Sequence, residues 1–287
     1  MLLSHALGCS KDVLTLAAGV GERFLRAPRF EDEKEIFMDF VRDLRLKFAD
    51  DHSLLLYLFG LFQTHQFSQN FKNSEMKFIS NLSLKRISKV RDSLENQLKQ
   101  LVPSDNRLEY NPNITKLFLL SAFYPDIAFK MSKRNHYLLP GSISAELQKE
   151  SMQFVESLET ILSEALNSEE NNFDFTNNER GHALVFEELF DAGHSLIVKS
   201  SLVDPIFSVL FADSVTPLYK TLYVDNWIRI TSEDSDSLKL LLEARNLWKS
   251  LTQKCLVFSS PQVITKFQKL LAILANIWDS GRIVEIK

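Results

Sequence analysis

Residues 8–18 read GCSKDVLTLAA. From Lys11 to Ala18, five of the eight residues are apolar: Val13, Leu14, Leu16, Ala17 and Ala18. Apolar positions crowded at such short range suit a helix that is covered on most sides. Ser10 stands where its hydroxyl can accept a hydrogen bond from the first turn, and Gly19 and Gly21 end the pattern. Gly8 fits a tight entry turn or a close approach between helices. Cys9, among apolar neighbours, reads as a small buried hydrophobe rather than a nucleophile.

Outward from this stretch, the first 130 residues repeat the helical pattern. Glu31–Ala49 carries Ile36, Phe37, Phe40, Val41, Leu44 and Phe48, a single stripe at spacings of three and four. Asp50-Asp51-His52-Ser53 breaks that stripe and begins the apolar helix Leu54–Gln66, with Asp51 expected as its N-cap and His52 fixing the turn. Leu84–Leu101 places Leu84, Ile87, Val90, Leu94, Leu98 and Leu101 on one face, with Lys85, Arg86, Lys89, Arg91 and Lys99 elsewhere on its surface. Ile114–Lys130 predicts one more apolar helix, interrupted at Pro125.

The pattern changes after Met131. His136–Ser142 predicts a strand that ends at a Pro140–Gly141 turn. Ala145–Leu166 predicts an amphipathic helix with an acidic outer face, and the polar run 169–180 a loop. The apolar runs Ala183–Phe190, Leu196–Ser200, Ile206–Phe211 and Leu222–Ile230 then follow, with turns between them, at the cadence of a small β-barrel or sandwich. Ser237–Leu251 and Pro261–Trp278 predict closing helices. The fold class expected is α+β: a helical domain over 1–130, then a β-barrel domain over 131–287 with a helical insertion at about 145–166 and C-terminal helices.

The formal net charge is −4, which does not suggest autonomous nucleic-acid binding, so any RNA contact has to come from a local basic patch or from help elsewhere. Two widely separated cysteines make no disulfide framework and suit a reducing compartment, nucleus or cytoplasm. The six histidines show no H-x-x-x-H spacing, so no metal site is expected. No apolar run reaches the length of a membrane span, and no membrane partner is expected.

Read in order, several strings resemble the C-terminal part of DEAH/RHA-type RNA helicases. Gly8–Ala18 is similar to the opening of that family's helicase-associated, or ratchet, domain. Phe24–Pro28 stands at its F-x-x-P step with one residue more between Phe and Pro, Asp51-His52-Ser53 with Leu54-Leu55 at its D-H-x-x-L-L with one residue fewer, and Arg91 as its R-x-x-L arginine. FLLSAFYPDIA at 118–128 resembles the next helix. Pro140 and Ser142 fall where the family's oligonucleotide-binding (OB) barrel has H-P-x-S, with Leu139 in place of the histidine. VDNWIRI at 224–230 resembles a closing strand of the RHA branch, which includes Trp227.

The resemblance implies a ratchet-like helical domain followed by an OB-type barrel. It implies RNA as partner, single-stranded or structured, together with helicase motor domains or a protein cofactor. The motor's own signatures are absent: there is no G-x-x-x-x-G-K-[ST] phosphate loop and no D-E-A-H box. ATP and Mg²⁺ would therefore belong to motor domains outside this sequence, and no cofactor or catalytic residue is assigned within it. A truncated product, a fragment or a degenerate paralogue is the expectation.

On that resemblance, Lys85, Arg86, Lys89 and Arg91 would neutralise phosphates along a single strand, and Lys199 and Ser200, at a strand end, would join them from the barrel. Without it, the same cations read as a solvated helix face and the same strand end as a turn. Trp227 reads as core rather than as a stacking platform. The alternative function is a non-enzymatic protein-interaction module that keeps the fold and has lost RNA binding, which the acidic balance favours.

Overall fold

A computed structural model describes residues 1–7, 9–101, 112–130, 135–154, 183–191, 195–254, 260–279 and 283–286. Gly8 and the predicted loop at 169–180 lie outside the described residues.

The helices α1 (Leu2–Ala6), α2 (Ser10–Gly19), α3 (Lys34–Arg45), α4 (Asp51–Thr64), α5 (Phe67–Asn70), α6 (Asn73–Met76), α7 (Asn81–Leu101) and α8 (Pro112–Phe123) follow one another in the N-terminal part. The stripe expected on α3 is buried at Phe37, Phe40, Val41 and Leu44. On α7 the stripe is narrower than its spacing predicts: Leu84, Ile87 and Leu98 are buried, whereas Val90 and Leu101 are exposed. Two caps differ from expectation. Cys9 occupies the N-cap of α2, so Ser10 is the first helical residue and its hydroxyl caps nothing. Asp50, not Asp51, caps α4, accepting from Ser53 N at 2.7 Å.

The helix predicted to run to Lys130 ends at Phe123. Pro125 lacks an amide hydrogen and stops it, and Ile127–Lys130 is instead the first strand, β1. The others are β2 (His136–Leu139), β3 (Ile143–Leu147), β4 (Ala183–Asp191) and β5 (Ser195–Val203). Together they form a closed barrel in the order β1-β2-β3-β5-β4, in which β3 and β5 are parallel and the other contacts antiparallel. Ala128, Tyr137, Leu139, Ala145, Leu147, Leu184, Phe186 and Ile197 make up its core.

β3 corrects the predicted helix 145–166. Ala145 and Leu147 alternate with exposed or half-buried neighbours at period two, and residues 148–154 are turn and bend. Residues 155–166 of that expectation lie outside the described residues.

Ile206–Phe211, expected to be extended, is a 3₁₀ turn at Pro205–Phe207 leading into the short helix α9 (Ser208–Phe211). The run Leu222–Ile230 is two strands, β7 (Thr221–Val224) and β8 (Ile228–Ser232), around a turn in which Asp225 and Asn226 have positive φ. With β6 (Val215–Leu218) and β9 (Ile283–Ile286) they form a second, four-stranded sheet outside the barrel. The C-terminal helices α10 (Ser235–Lys254) and α11 (Ser260–Asp279) pack against each other, as the sequence predicts. One large apolar core runs from Leu3 through α2, α4 and α8 to Trp248, Phe267 and Ile277.

Candidate nucleic-acid interface and a buried polar junction

Ser80 precedes helix α7, and its hydroxyl accepts from Ser83 N at 3.3 Å. Lys85, Arg86 and Lys89 are exposed on its first turns. Arg86 meets Glu22 at 3.7 Å, whereas Lys85 and Lys89 form no ion pair among the described residues. Arg91 is set apart from them. Its side chain is mostly buried, lies over the Phe59 ring at 5.8 Å and faces Asp92 and Glu95 at 3.6 and 3.7 Å. The sequence grouped four cations, and the structure leaves three of them on one accessible face.

The barrel pair expected beside them is elsewhere. Lys199 and Ser200 lie inside β5 rather than at its end, and Ser200 is fully buried. Lys199 has φ +49, a left-handed conformation unusual for a side-chain-bearing residue in a strand. Its ammonium donates to Glu187 Oε2 at 2.8 Å and to Gly19 O at 3.1 Å, so its charge is used internally.

These residues belong to a polar junction between the start of α4 and the barrel. Asp51 is buried and accepts from Met152 N, Ser200 N and the Ser151 hydroxyl at 2.7, 2.8 and 2.8 Å. Burial pushes its carboxyl upward, against these three donors and the His52 charge. His52 joins Ser201 Oγ through Nδ1 at 2.8 Å and Glu187 Oε1 through Nε2 at 3.2 Å. Burial also opposes ionisation of Glu187, but the His52 hydrogen bond and the Lys199 ammonium outweigh it and hold that carboxyl low. Sequence reasoning singled out Asp51 and His52 and missed Glu187, Ser151 and Ser201, because no local pattern links residues 100 to 149 positions apart.

Ser201, His52 and Glu187 have the connectivity of a hydrolytic triad. Chemistry of that kind needs a nucleophile that a substrate can reach. Ser201 is 0% exposed and His52 2%, and the neighbouring cleft of about 130 Å³ is lined by Asp51, Ser151 and Lys199 but by neither of them. The arrangement is a fastening and not a catalytic site.

The Cys9 thiol donates to Ser4 O at 3.4 Å, and burial pushes its pKa to about 11. Pro140 and Ser142 bound the 3₁₀ turn after β2, with Gly141 and Ser142 at positive φ. Trp227 sits at the β7–β8 turn, not inside a strand, half-buried with its ring edge-on to Phe129 at 5.3 Å.

Among the described residues no cluster of His, Cys, Asp or Glu could hold a metal ion, and no helix is long and apolar enough to cross a membrane. No protein-family model and no curated protein matches this chain.

Proposed function

We propose that this protein is an RNA-binding accessory module of the kind that follows the motor of DEAH/RHA-type helicases, with ratchet-like helices ahead of an OB-type barrel. The observation that carries this reading is the barrel order β1-β2-β3-β5-β4, closed and with β3 parallel to β5, immediately after the helices. A five-stranded Greek-key barrel is the OB architecture, which binds single strands and oligosaccharides on very different sequences. The ordered family-like strings in the sequence agree with it.

The contact expected with RNA is through phosphates on the α7 cations, sequence-independent and sensitive to salt. The motor domains, or a protein cofactor, are the expected protein partners. A second reading, a protein-interaction module without RNA binding, draws support from Ser200 and Lys199, whose polar groups are committed inside the junction.

Fluorescence anisotropy with a labelled single-stranded RNA at low salt separates the two. Binding that weakens in the Lys85→Gln/Lys89→Gln variant supports the first reading. No binding by the full chain, alone or with a DEAH/RHA motor added, rejects it in favour of the second.

A further inference from the structure

The stretches 23–30 and 77–91 carry eight lysines and arginines and not one Asp or Glu, in a chain with 37 acidic and 33 basic residues. They are about fifty residues apart in sequence, yet Arg23–Arg26 lies beside Phe78–Ser83. Leu25 and Ile79 form an antiparallel bridge. Arg26 N donates to Phe78 O at 2.8 Å, Ser80 N to Phe24 O at 2.9 Å, and the Ser83 hydroxyl to Arg23 O at 2.9 Å. Three hydrogen bonds, with Glu22 meeting Arg86 one step further at 3.7 Å, fix Arg23–Arg26 against Phe78–Ser83, the stretch that leads into α7.

The result is a cationic strip. Arg23, Arg26 and Arg29 are exposed on the extended segment, and none forms an ion pair among the described residues. Lys85 and Lys89 continue the strip on α7 in the same unpaired state. At the far end Phe30 is 70% exposed, a large apolar ring that has found no place in the core. The acidic run Glu31–Glu33 bounds the strip immediately beyond it, and Glu33 is drawn off to Lys77 at 2.7 Å.

Unpaired cations spaced along an extended backbone, closed by an exposed aromatic ring, are what a single-stranded nucleic acid needs. The phosphates are neutralised without base reading, and an unstacked base covers the ring. A duplex offers the same phosphates but no free base face. An acidic peptide offers fixed carboxylates but no reason for the ring.

We infer that Arg23, Arg26 and Arg29 extend the α7 cations into one phosphate-tracking path for single-stranded RNA, with Phe30 as its stacking end. This rests on the RNA-binding reading above and adds residues to that same surface. The segment Arg23–Arg29, not the barrel pair Lys199–Ser200, is then the second half of the interface.

The test compares the parent chain, the triple variant Arg23→Gln/Arg26→Gln/Arg29→Gln, the double variant Lys85→Gln/Lys89→Gln, and Phe30→Ala. Each is titrated into labelled oligo(U) and into a blunt RNA duplex across a salt series, with circular dichroism confirming the fold. The triple variant is expected to raise the Kd for oligo(U) at least tenfold. It should also lower the slope of log K against log salt by about 2, at about 0.7 per lost single-strand phosphate contact. Phe30→Ala is expected to weaken oligo(U) about tenfold, the scale of one lost stacking contact, and to leave duplex binding unchanged.

If the double variant weakens binding while the triple leaves both affinity and slope intact, the arginine path is overturned and the RNA-binding reading stands. Loss at the duplex equal to loss at oligo(U) in Phe30→Ala overturns the stacking end. Absence of any binding by the parent chain overturns both readings together.

Discussion

A carboxylate taken out of water is costly unless it is paired and hydrogen-bonded, and Glu187, 1% exposed in its side chain, meets that condition with His52, Lys199 and the Gly21 amide. Its carboxyl titrates below the ordinary range because the imidazole and ammonium outweigh the effect of burial. A carboxyl lowered in the folded state adds stability that is complete above its unfolded pKa, roughly 4.3, and is lost as the pH falls through the folded value. Asp51 runs the other way. Burial raises its carboxyl, so its contribution is present below the unfolded value and declines as pH rises through the folded one. Glu187→Gln should therefore lower stability by about 3 kcal/mol at pH 7, the scale of a broken buried pair. The gap from the parent should narrow as the pH drops below about 4. Urea midpoints from pH 3 to 7 measure this, and a gap that stays constant across the range would remove Glu187 from the acid limb. In the sequence Asp51 and His52 stand out as polar residues before an apolar run. Their meaning does not, because every hydrogen-bond partner of the two side chains lies on a strand or turn at least 100 residues away.

At the level of the element, the two glycines of the α2–α4 pair have opposite roles. Gly19 ends α2 against α4, where a Cβ would come within 2.5 Å of Leu55 Cδ2. Gly60 is exposed inside α4, and nothing lies within 4 Å of the position a Cβ would take. Gly60→Ala should stabilise the protein by about 0.8 kcal/mol through helix propensity alone. Gly19→Ala should destabilise it by about 1–2 kcal/mol, because Leu55 has to leave its packed rotamer. Thermal melts of the two variants check the signs, and a shift in the same direction for both would refute the contact. Helices α3, α4, α7, α10 and α11 were legible because a long run samples its period several times. The strands β1 and β3 were not. Four or five residues fit a helical stripe as readily as an alternating one, and only pairing with β2, β4 and β5 selects the extended form.

Across the whole molecule, the large core joins the two ends of the chain. Phe118 on α8 lies 6.1 Å from the Trp248 ring on α10 and 6.4 Å from Phe267 on α11, and Phe211 stands edge-on to Trp248 at 5.0 Å. The buried Arg245 reinforces this contact by donating to the carbonyls of Val209, Ala212 and Asp213. A fragment of residues 1–126 would expose Phe118, Leu117 and Leu120 where α10, α11 and the barrel cover them. It should therefore show secondary structure in far-UV circular dichroism without a cooperative thermal transition. A sharp two-state melt from that fragment would show that the N-terminal helices carry their own core.

By itself, the sequence determined the helical first half, the change to strands near residue 130, the C-terminal helices and the cations of α7, since each follows from local period, breakers and charge. Tertiary structure alone decided that the barrel closes through a parallel β3–β5 contact and that Lys199 and Ser200 turn inward to Asp51 and Glu187. It alone brought Arg23–Arg26 beside Phe78–Ser83 at the entry to α7. The reason is the same in each case. A hydrogen bond or ion pair between residues fifty to 180 positions apart leaves no periodic trace in the chain, and exists only once the backbone has folded to bring its two ends within about 3 Å.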